Sequence, residues 1–403
     1  MTTEDELARA LRQLAEAAPE TDLLAGVRER RRRRTRRRAQ AVAVAAVIAV
    51  AGTSTTVTRG GVLATGGGHD AAATASAVEE PRAANPADTP ARPVDEVWPQ
   101  AVFTMPARNA DGWKYRPITG ISATEVLLSA EPSFEKAGAL EVYDTVTRKA
   151  RVVTRMPSTP GLKEYIHQTA TTDGKSVAWF AYGERQDGSM VREIWTVPLS
   201  GGEPRLLVTL TGERARIATI ALAGEHVVWS DERAVWRLPL AGGEETKLAD
   251  RLHVIAWPWA GDLAEGPGTA DANQTRVVNL ETGEIRRIAA APGAEGLRCG
   301  VTWCSGRQRH AGLVQRVDGS GQAAFREAMT PPDAYPVLDR FVRGRGEVYD
   351  TATGVSARVD NPGTWSGVGV SAEPSTILYW GTTRSGKPHE YRVLNLAAVP
   401  AAQ

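Results

Sequence analysis

The sequence predicts an all-β fold, a β-propeller with seven blades, and leaves six or eight blades as alternatives. A degenerate repeat of about 40 residues supports this prediction, because that period is typical of propeller blades. Composition supports it as well: the 403 residues include 39 glycines and 11 tryptophans but only 5 methionines, as expected for many short strands joined by many turns. A third feature, an arginine-rich junction near the N-terminus, predicts a membrane anchor ahead of the propeller.

The clearest repeat unit lies at residues 172–210 and contains the signals of three strands. An Asp-Gly pair predicts a tight turn into an inner strand, and a Gly-Gly pair predicts the turn into an outer strand. In chain order the parts are Asp-Gly at 173–174, the inner strand Val-Ala-Trp at 177–179, the next strand Ile-Trp-Thr-Val at 194–197, Gly-Gly at 201–202 and the outer strand at 205–210. The same order recurs between Gly224 and Glu244.

These two units resemble the TolB-like family of β-propeller repeats in the turn, the aliphatic-aromatic strand and the Gly-Gly hairpin. The resemblance implies a propeller and covers residues 119–397, most clearly in the two units above. Pro198 and Pro239 depart from the aspartate that is usual in the family. Weaker copies of the strand and turn signals lie at 126–128 with 142–144, 254–257 with 279–283, 301–303 with 318–321, 348–354, and 377–380 with 391–394.

The spacing of the copies predicts the number of blades. Leu128 and Trp380 are 252 residues apart, and six steps over that distance give a period of about 42 residues. Seven copies therefore predict seven blades. Closing such a ring requires an early strand that completes the last blade, and residues 98–105 are the candidate.

The N-terminal junction predicts the topology. Nine arginines from Arg28 to Arg38 precede an apolar stretch at 39–59. Because arginine holds its flank in the cytoplasm and the apolar stretch can enter a bilayer, residues 39–59 are interpreted as a single transmembrane helix with the propeller outside the cell membrane. Two alternatives stay open: a cleaved signal peptide with its apolar core at 41–50, including a twin-arginine form, and a solvated basic run in a soluble protein.

Residues 1–38 are interpreted as a short cytoplasmic helical segment. Threonines followed by acidic residues are typical of a helix N-terminus, and Leu7, Leu11 and Leu14 form one narrow apolar stripe. The segment resembles those that precede the membrane span in actinobacterial membrane-anchored regulators such as anti-sigma factors, although the zinc-binding His and Cys pattern of that family is missing. A transmembrane regulator with a cytoplasmic partner is therefore one functional hypothesis.

The outer part of the chain divides into a linker and the propeller. Residues 60–97 are mostly Ala, Gly, Pro, Thr and Ser, a composition that predicts a disordered linker, so the propeller is assigned to residues 98–403. From Ala39 onward the chain has 37 basic and 40 acidic residues. This balance provides no basic field, and we expect no nucleic-acid partner.

The two cysteines, Cys299 and Cys304, fall on the side of the membrane where a disulfide can persist. An extended strand between them would hold their Cα atoms roughly 16 Å apart, too far for a disulfide. A turn at Gly300 would bring them within reach. The sequence leaves both possibilities open.

No catalytic, cofactor-binding or metal-binding residue is assigned from the sequence. Histidines show no short metal-ligand spacing, and Asp231, Glu232 and Asp262 are interpreted as solvated turn charges rather than cation ligands. Recurring tryptophans could form a ligand ring, but their recurrence at one place in the repeat favours packing between blades. These tryptophans are Trp179, Trp229, Trp257, Trp303 and Trp380.

Two further patterns suggest known propeller chemistry without completing it. The turns at 279–283 and 350–354 are similar to those of quinoprotein-like propellers, but neither has the tryptophan that should follow its glycine, so no pyrroloquinoline quinone and no other cofactor is expected. Residues 360–365 faintly resemble a sialidase Asp-box with the glycine one place late. They are interpreted as an ordinary turn.

The leading functional hypothesis is a membrane-anchored, extracytoplasmic β-propeller that acts as a binding or scaffold module. Its expected partners are the lipid bilayer, through residues 39–59, and a protein, peptide or cell-wall glycan bound by loops at one end of the channel. This hypothesis depends on analogy between propellers. An extracytoplasmic hydrolase or lyase is the alternative, and carboxylates or histidines converging in the channel would favour it.

Overall fold

The propeller is confirmed and has seven blades. A computed structural model describes residues 91–402, except 134–137, 264–268, 310, 326–334, 360–365 and 382–388. In this part of the chain, 28 strands form seven four-stranded sheets. The inner strands of the first four sheets contact one another in series, and the seventh sheet contacts the first, so the sheets are arranged as blades around a channel. The alternatives of six or eight blades are wrong.

Five blades consist of consecutive antiparallel strands that run from the channel outward. Blades one and two contain β3 (Lys114–Gly120), β4 (Glu125–Glu131), β5 (Ala139–Asp144), β6 (Lys149–Arg155), β7 (Lys163–Thr172), β8 (Ser176–Glu184), β9 (Met190–Pro198) and β10 (Arg205–Thr211). Blade three contains β11 (Thr219–Ala223), β12 (His226–Ser230), β13 (Ala234–Pro239) and β14 (Thr246–Asp250). Blades four and five contain β15 (His253–Ala256), β16 (Trp259–Gly261), β17 (Arg276–Asn279), β18 (Ile285–Arg287), β19 (Ala294–Cys299), β20 (Trp303–Gln308), β21 (Ala311–Arg316) and β22 (Ala323–Phe325).

The last two blades each take their outer strand from the N-terminal end of the domain. Blade six contains β23 (Phe341–Gly344), β24 (Glu347–Asp350), β25 (Val355–Arg358) and β1 (Arg92–Pro93), which pairs in parallel with β25. Blade seven contains β26 (Ser366–Val368), β27 (Ile377–Gly381), β28 (Glu390–Asn395) and β2 (Val102–Pro106), which is antiparallel to β28. Ring closure by the segment predicted at 98–105 is therefore confirmed, with the strand itself at 102–106.

Among the described residues, helices are few and short: α1 (Val94–Val97) and three 3₁₀ turns, Pro99–Ala101, Gly212–Ala215 and Leu396–Ala398. None of the helices in the described residues has the length and apolar character needed to cross a bilayer. The cytoplasmic segment at 1–38, the membrane span at 39–59 and residues 60–90 of the linker lie outside the described residues. Residues 91–97, which the composition assigned to the linker, instead contribute β1 and α1 to the propeller.

One strand assignment from the sequence is wrong. The Val-Ala-Trp segment at 177–179 lies on β8, the second strand of blade two, and the inner strand is β7, which ends before the Asp-Gly turn. The Asp-Gly turn therefore joins the inner strand to the second strand rather than leading into the inner one. Val-Ile-Ala at 254–256 does form an inner strand, and Trp257 lies in the turn that follows it.

The core lies between the blades, as the recurring tryptophans predict. Trp179 is fully buried against Leu127 of blade one, and Trp229 is fully buried against Phe180 of blade two. Trp380 packs in the cluster between blades six and seven. A buried aromatic ring contributes a large apolar area at each of these interfaces, so these three tryptophans stabilise the ring rather than line its channel.

Cys299 and Cys304 form a disulfide. They occupy paired positions on β19 and β20, and both side chains are fully buried. The three residues at 300–302 form the turn that brings them together, and the Gly300 N–H donates a hydrogen bond to the Trp303 carbonyl at 2.8 Å. The possibility left open by the sequence is thereby settled in favour of the turn.

Candidate functional site

The channel is crossed by residues 369–376, here named the cross-channel segment. It joins β26 to β27 in blade seven, whereas the equivalent connections in blades two, three and four span only 173–175, 224–225 and 257–258. The extra length extends into the channel, where Ser371 forms a parallel bridge with Ala170 of blade two.

Hydrogen bonds to three other blades hold the cross-channel segment. The Ala372 N–H donates to the Ala170 carbonyl of blade two at 3.1 Å, and the Thr219 hydroxyl of blade three donates to the Ala372 carbonyl at 2.7 Å. The Ser375 hydroxyl donates to the Ile118 carbonyl of blade one at 2.7 Å. The segment therefore has a defined position in the channel.

Gly369 allows the segment to enter. A Cβ atom at this position would lie 2.1 Å from the Ile118 carbonyl oxygen and 2.2 Å from the Ser375 hydroxyl oxygen. Both separations are far below van der Waals contact, and the carbonyl belongs to a strand that cannot move freely. Any side chain here would push the segment away from blade one.

Glu373 is the charged residue that the cross-channel segment places in the channel. Its Oε2 accepts a hydrogen bond from the Thr171 hydroxyl at 2.7 Å, and its Oε1 accepts one from the Trp257 N–H at 3.0 Å. Burial raises the pKa of the Glu373 carboxyl, and the two hydrogen bonds offset part of that rise. In the described part of the chain, no cationic side chain forms an ion pair with Glu373.

Two cavities lie on either side of the segment, and Glu373 lines both. The upper cavity, at the starts of the inner strands, has a volume of about 250 Å³ and includes Thr219, His253, Tyr335, Arg343, Ser371 and Glu373 in its walls. The lower cavity, at the ends of the inner strands, has a volume of about 350 Å³ and includes Thr119, Thr171, Trp257, Trp259, Asp339 and Glu373 in its walls.

Blade six explains why Arg343 reaches the channel. In blade one, Asp144 closes the turn between the third and fourth strands by accepting hydrogen bonds from the N–H groups two and three residues further on. In blade six, Asp350 accepts the corresponding hydrogen bond from the N–H two residues further on. Because Asp350 ends β24 as Asp144 ends β5, β24 corresponds to the third strand of blade one and β23 to the second strand. On the inner side of β23, the described residues form a single bridge, between Val337 and Phe341. Arg343 of β23 therefore lines the upper cavity.

The turn at 338–340, between Val337 and Phe341, places Asp339 at the lower cavity. Leu338 and Asp339 adopt left-handed backbone conformations, with φ of 54° and 48°, which are uncommon for residues other than glycine. The Asp339 Oδ1 accepts hydrogen bonds from the N–H groups of Thr302 at 2.8 Å and Trp303 at 3.2 Å. These bonds from blade five compensate for the strain and fix the turn at the rim of the cavity.

The acidic turn residues considered as cation ligands have other roles. Asp231 is buried, caps its own turn and accepts a hydrogen bond from the Trp236 indole at 2.8 Å. Glu232 pairs with Arg216 at 3.1 Å, and Asp262 caps the Thr275 N–H at 3.0 Å. In the described residues, no three His, Cys, Asp or Glu side chains are grouped so that they could hold a metal ion.

The remaining candidates are dispersed. His253 lines the upper cavity and His167 is buried inside blade two, whereas His226 is partly exposed on β12 and His389 is exposed in the bend before β28. The Asn279 and Asp350 turns are ordinary hairpin turns closed by their own side chains. His69, His310 and the 360–365 turn lie outside the described residues.

Sequence reasoning missed Glu373 and included Trp257 only as one of a set of packing residues. Glu373 stands alone in an Ala-Glu-Pro-Ser loop that matches no motif. The available signal was the length of chain between β26 and β27, which exceeds a hairpin turn.

Comparisons with known proteins extend only to the fold. No protein-family model and no curated protein matches the chain. Among solved structures, an oligogalacturonate lyase from Vibrio parahaemolyticus has a TM-score of 0.43 and 12% identity, over 72% of this chain and 91% of that chain. An oligogalacturonate lyase in complex with manganese has a TM-score of 0.35 and 12% identity, over 71% and 77%. A prolyl endopeptidase has a TM-score of 0.36 and 13% identity, over 54% and 35%. Likeness at this level carries no argument about chemistry.

Proposed function

We propose that the protein is a membrane-anchored, extracytoplasmic binding module that holds one residue of a peptide or glycan of the cell envelope in its channel. The observation that carries this proposal is the cross-channel segment, which divides the channel into two cavities with polar groups on largely apolar walls. Concave sites of this composition are typical of ligand binding. Volumes of about 250 and 350 Å³ fit one amino-acid or sugar residue rather than a folded partner.

The disulfide supports the extracytoplasmic location. Cys299 and Cys304 are joined and fully buried, and such bonds persist in oxidising compartments but are rare in the cytoplasm. The arginine-rich junction before residues 39–59 independently favours a cytoplasmic N-terminus. Both features are consistent with one anchor and an outer propeller.

The topology is tested with intact cells that produce the full chain with a tag at each terminus. Added protease should digest the C-terminal tag and spare the N-terminal tag, and both halves should sediment with the membrane fraction before digestion. Resistance of both tags, or a shortened chain free in the medium, would overturn the anchored arrangement.

Binding is tested by enrichment on the full-length protein in detergent. A muramidase and trypsin digest of the envelope fraction is passed over the immobilised protein, and retained components are identified by mass spectrometry. We expect the wild type to retain a defined set of components. Gly369→Ala should lose at least ten-fold of that retention, because the added methyl group displaces the cross-channel segment from the Ile118 carbonyl.

Because Gly369→Ala could unfold the protein, a second test uses a milder variant together with a matched control. Thr219→Val removes one hydrogen bond to the cross-channel segment, and Thr209→Val makes the same chemical change on the exposed outer strand β10. Retention should fall for Thr219→Val and stay at the wild-type level for Thr209→Val. The binding proposal fails if no component is enriched or if all variants retain the same components.

An enzymatic role is the second candidate, and one observation favours it. His253, Arg343 and Glu373 line the same upper cavity, and such groups can move protons and stabilise negative charge during hydrolysis or elimination. In the enrichment experiment, a retained component whose mass changes during incubation with wild type, but not with Glu373→Gln, would favour the hydrolase or lyase over the binding module.

A further inference from the structure

The two cavities differ in charge. The upper cavity has Arg343 and His253 in its walls together with Glu373. The lower cavity has two carboxylates, Glu373 and Asp339, and among the described residues that line it there is no Lys, Arg or His. Its remaining polar lining groups are hydroxyls and backbone groups, with threonines at 119, 171, 172 and 376 and Ser371. The lower cavity is therefore an acceptor-rich site of negative character.

Glu373 has capacity for another partner. A carboxylate can accept about four hydrogen bonds, and each of its oxygens accepts one, from Thr171 and from the Trp257 N–H. No described cation pairs with Glu373, so among the described residues these two dipoles favour its charged form, while burial disfavours it. A buried carboxylate without an opposite charge is costly, and a cation in the adjoining cavity would supply that charge.

The aromatic walls favour an organic cation over a metal ion. Trp257 and Trp259 both line the lower cavity, and indole faces attract ammonium groups within about 6 Å. One face of Trp259 is covered by Arg286, whose guanidinium carbon lies 5.1 Å from the ring centroid, and Arg286 is paired with Glu284 at 2.7 Å. Metal ions, by contrast, need several strong ligands together, and the described residues contain no group of three His, Cys, Asp or Glu side chains that could hold one.

Leu338 indicates that the cation is attached to an apolar arm. It lies beside Asp339 at the rim of the lower cavity, and 57% of its surface is exposed. The left-handed turn holds this large side chain outward, where it can cover an aliphatic chain leading into the cavity. An acidic base, aromatic walls and an aliphatic rim match the end of a lysine-like side chain.

We propose that the lower cavity binds a primary ammonium group on an aliphatic arm, with Glu373 and Asp339 as its acceptors and Trp257 beside it. This inference rests on the proposed binding function and specifies its ligand class. The group is the side-chain amine of a diamino acid, as carried by peptides. The acceptors and hydroxyls of the cavity receive its three N–H donors, and the arm leaves past Leu338.

The proposal is tested with two small probes that differ by one acetyl group, which removes the charge of the amine. Nα-acetyl-lysine methylamide carries a single ammonium group, and Nα,Nε-diacetyl-lysine methylamide is its neutral counterpart. Each is titrated into the full-length protein in detergent and followed by calorimetry and by tryptophan fluorescence. We expect the cationic probe to bind at least ten-fold more tightly than the neutral one, because only it can pair with Glu373 and Asp339.

Three variants locate the binding. Glu373→Gln removes the charge but keeps an acceptor for the Trp257 N–H, and its amide N–H can donate to the Thr171 hydroxyl oxygen. Asp339→Asn keeps the Oδ1 that accepts from blade five. Each should weaken the cationic probe by ten-fold or more and leave the neutral probe unchanged. Glu203→Gln, an exposed carboxylate in the turn between β9 and β10, should change neither. Equal affinity for the two probes, or full affinity in Glu373→Gln, would overturn the proposal.

Failure of this inference is distinguishable from failure of the proposed function. The envelope digest is treated with acetic anhydride, which acetylates its amines, and is passed over the wild-type protein again. Loss of the retained components supports the ammonium site. Unchanged retention rejects the ammonium site and leaves the channel-binding module standing, whereas absence of enrichment from both digests rejects the binding function itself.

Discussion

Replacing Trp98 with alanine should lower the free energy of unfolding by about 3 to 5 kcal/mol, the usual cost of removing a buried tryptophan side chain. Trp98 is only 6% exposed and lies between α1 and the strand β2 that closes the ring. Its ring packs edge-on against Phe341 at 5.9 Å, within the cluster that joins blades six and seven. The substitution therefore removes packing at the place where the N-terminal segment completes blades six and seven. Urea unfolding of the full-length protein, followed by circular dichroism, measures it.

Two further variants show that the effect belongs to the closure. Trp98→Phe keeps an aromatic ring against Phe341 and should recover a large part of the stability. Trp113→Ala removes a partly exposed tryptophan that Arg155 covers at 5.5 Å, and should cost no more than about 1 kcal/mol. If Trp98→Ala and Trp113→Ala were equally stable, the closing segment would not contribute to the ring as the structure indicates.

The architecture was predictable because its signals are local and repeated. Asp-Gly and Gly-Gly pairs specify turns through their own backbone preferences, and tryptophans such as Trp179 and Trp229 recur because each interface between blades needs a large buried side chain. The number of copies predicted seven blades, and the need to close the ring predicted an early strand that completes the last blade. The inner strands were misplaced because they carry weaker signals: β7, for example, runs through Lys163 and polar residues before it reaches the Asp-Gly turn.

The site could not be predicted in the same way because it depends on distant pairings. Ser371 meets Ala170 across about half of the chain, and nothing in the spacing of either residue specifies that contact. Glu373 gains its significance from Thr171 and Trp257, which approach it only when seven blades close into a ring. The disulfide between Cys299 and Cys304 was left open for a related reason, since it depends on whether three residues form a turn or a strand.

His167 should make the protein less stable as the pH falls from about 6.5 to about 4. Its Nδ1 accepts a hydrogen bond from the Trp179 indole at 2.8 Å, and its Nε2 lies 2.9 Å from the Pro157 carbonyl oxygen. A carbonyl can only accept, so Nε2 carries the hydrogen and the ring is neutral. Protonation of Nδ1 would place its N–H directly opposite the Trp179 indole N–H, so that two donors would face each other. Burial lowers the pKa of His167 to about 4, although the Pro157 carbonyl and the nearby Glu193 carboxylate favour the charged form.

The sign and size of this effect follow from the difference in proton binding. Below pH 6.5 the unfolded chain binds a proton at His167 that the folded chain does not, so the free energy of unfolding decreases with falling pH until the folded-state pKa of about 4 is reached. The shift corresponds to about 3 kcal/mol across that range. Tyr165 packs edge-on against the imidazole at 5.3 Å and limits the room for water to solvate a charged ring. The lost stability therefore cannot be recovered by local hydration.

Urea unfolding at pH 7.5, 6, 5 and 4.5 measures this slope for the wild type and for His167→Gln. Glutamine can accept from the Trp179 indole and donate to the Pro157 carbonyl without titrating, so the variant should lose less stability on acidification, by about 2.5 kcal/mol between the extremes. His226→Gln removes a partly exposed histidine from β12 and should keep the wild-type slope. Parallel pH profiles for the wild type and His167→Gln would show that the folded protein accommodates a charged ring at this position, and that the Trp179 hydrogen bond does not hold it neutral.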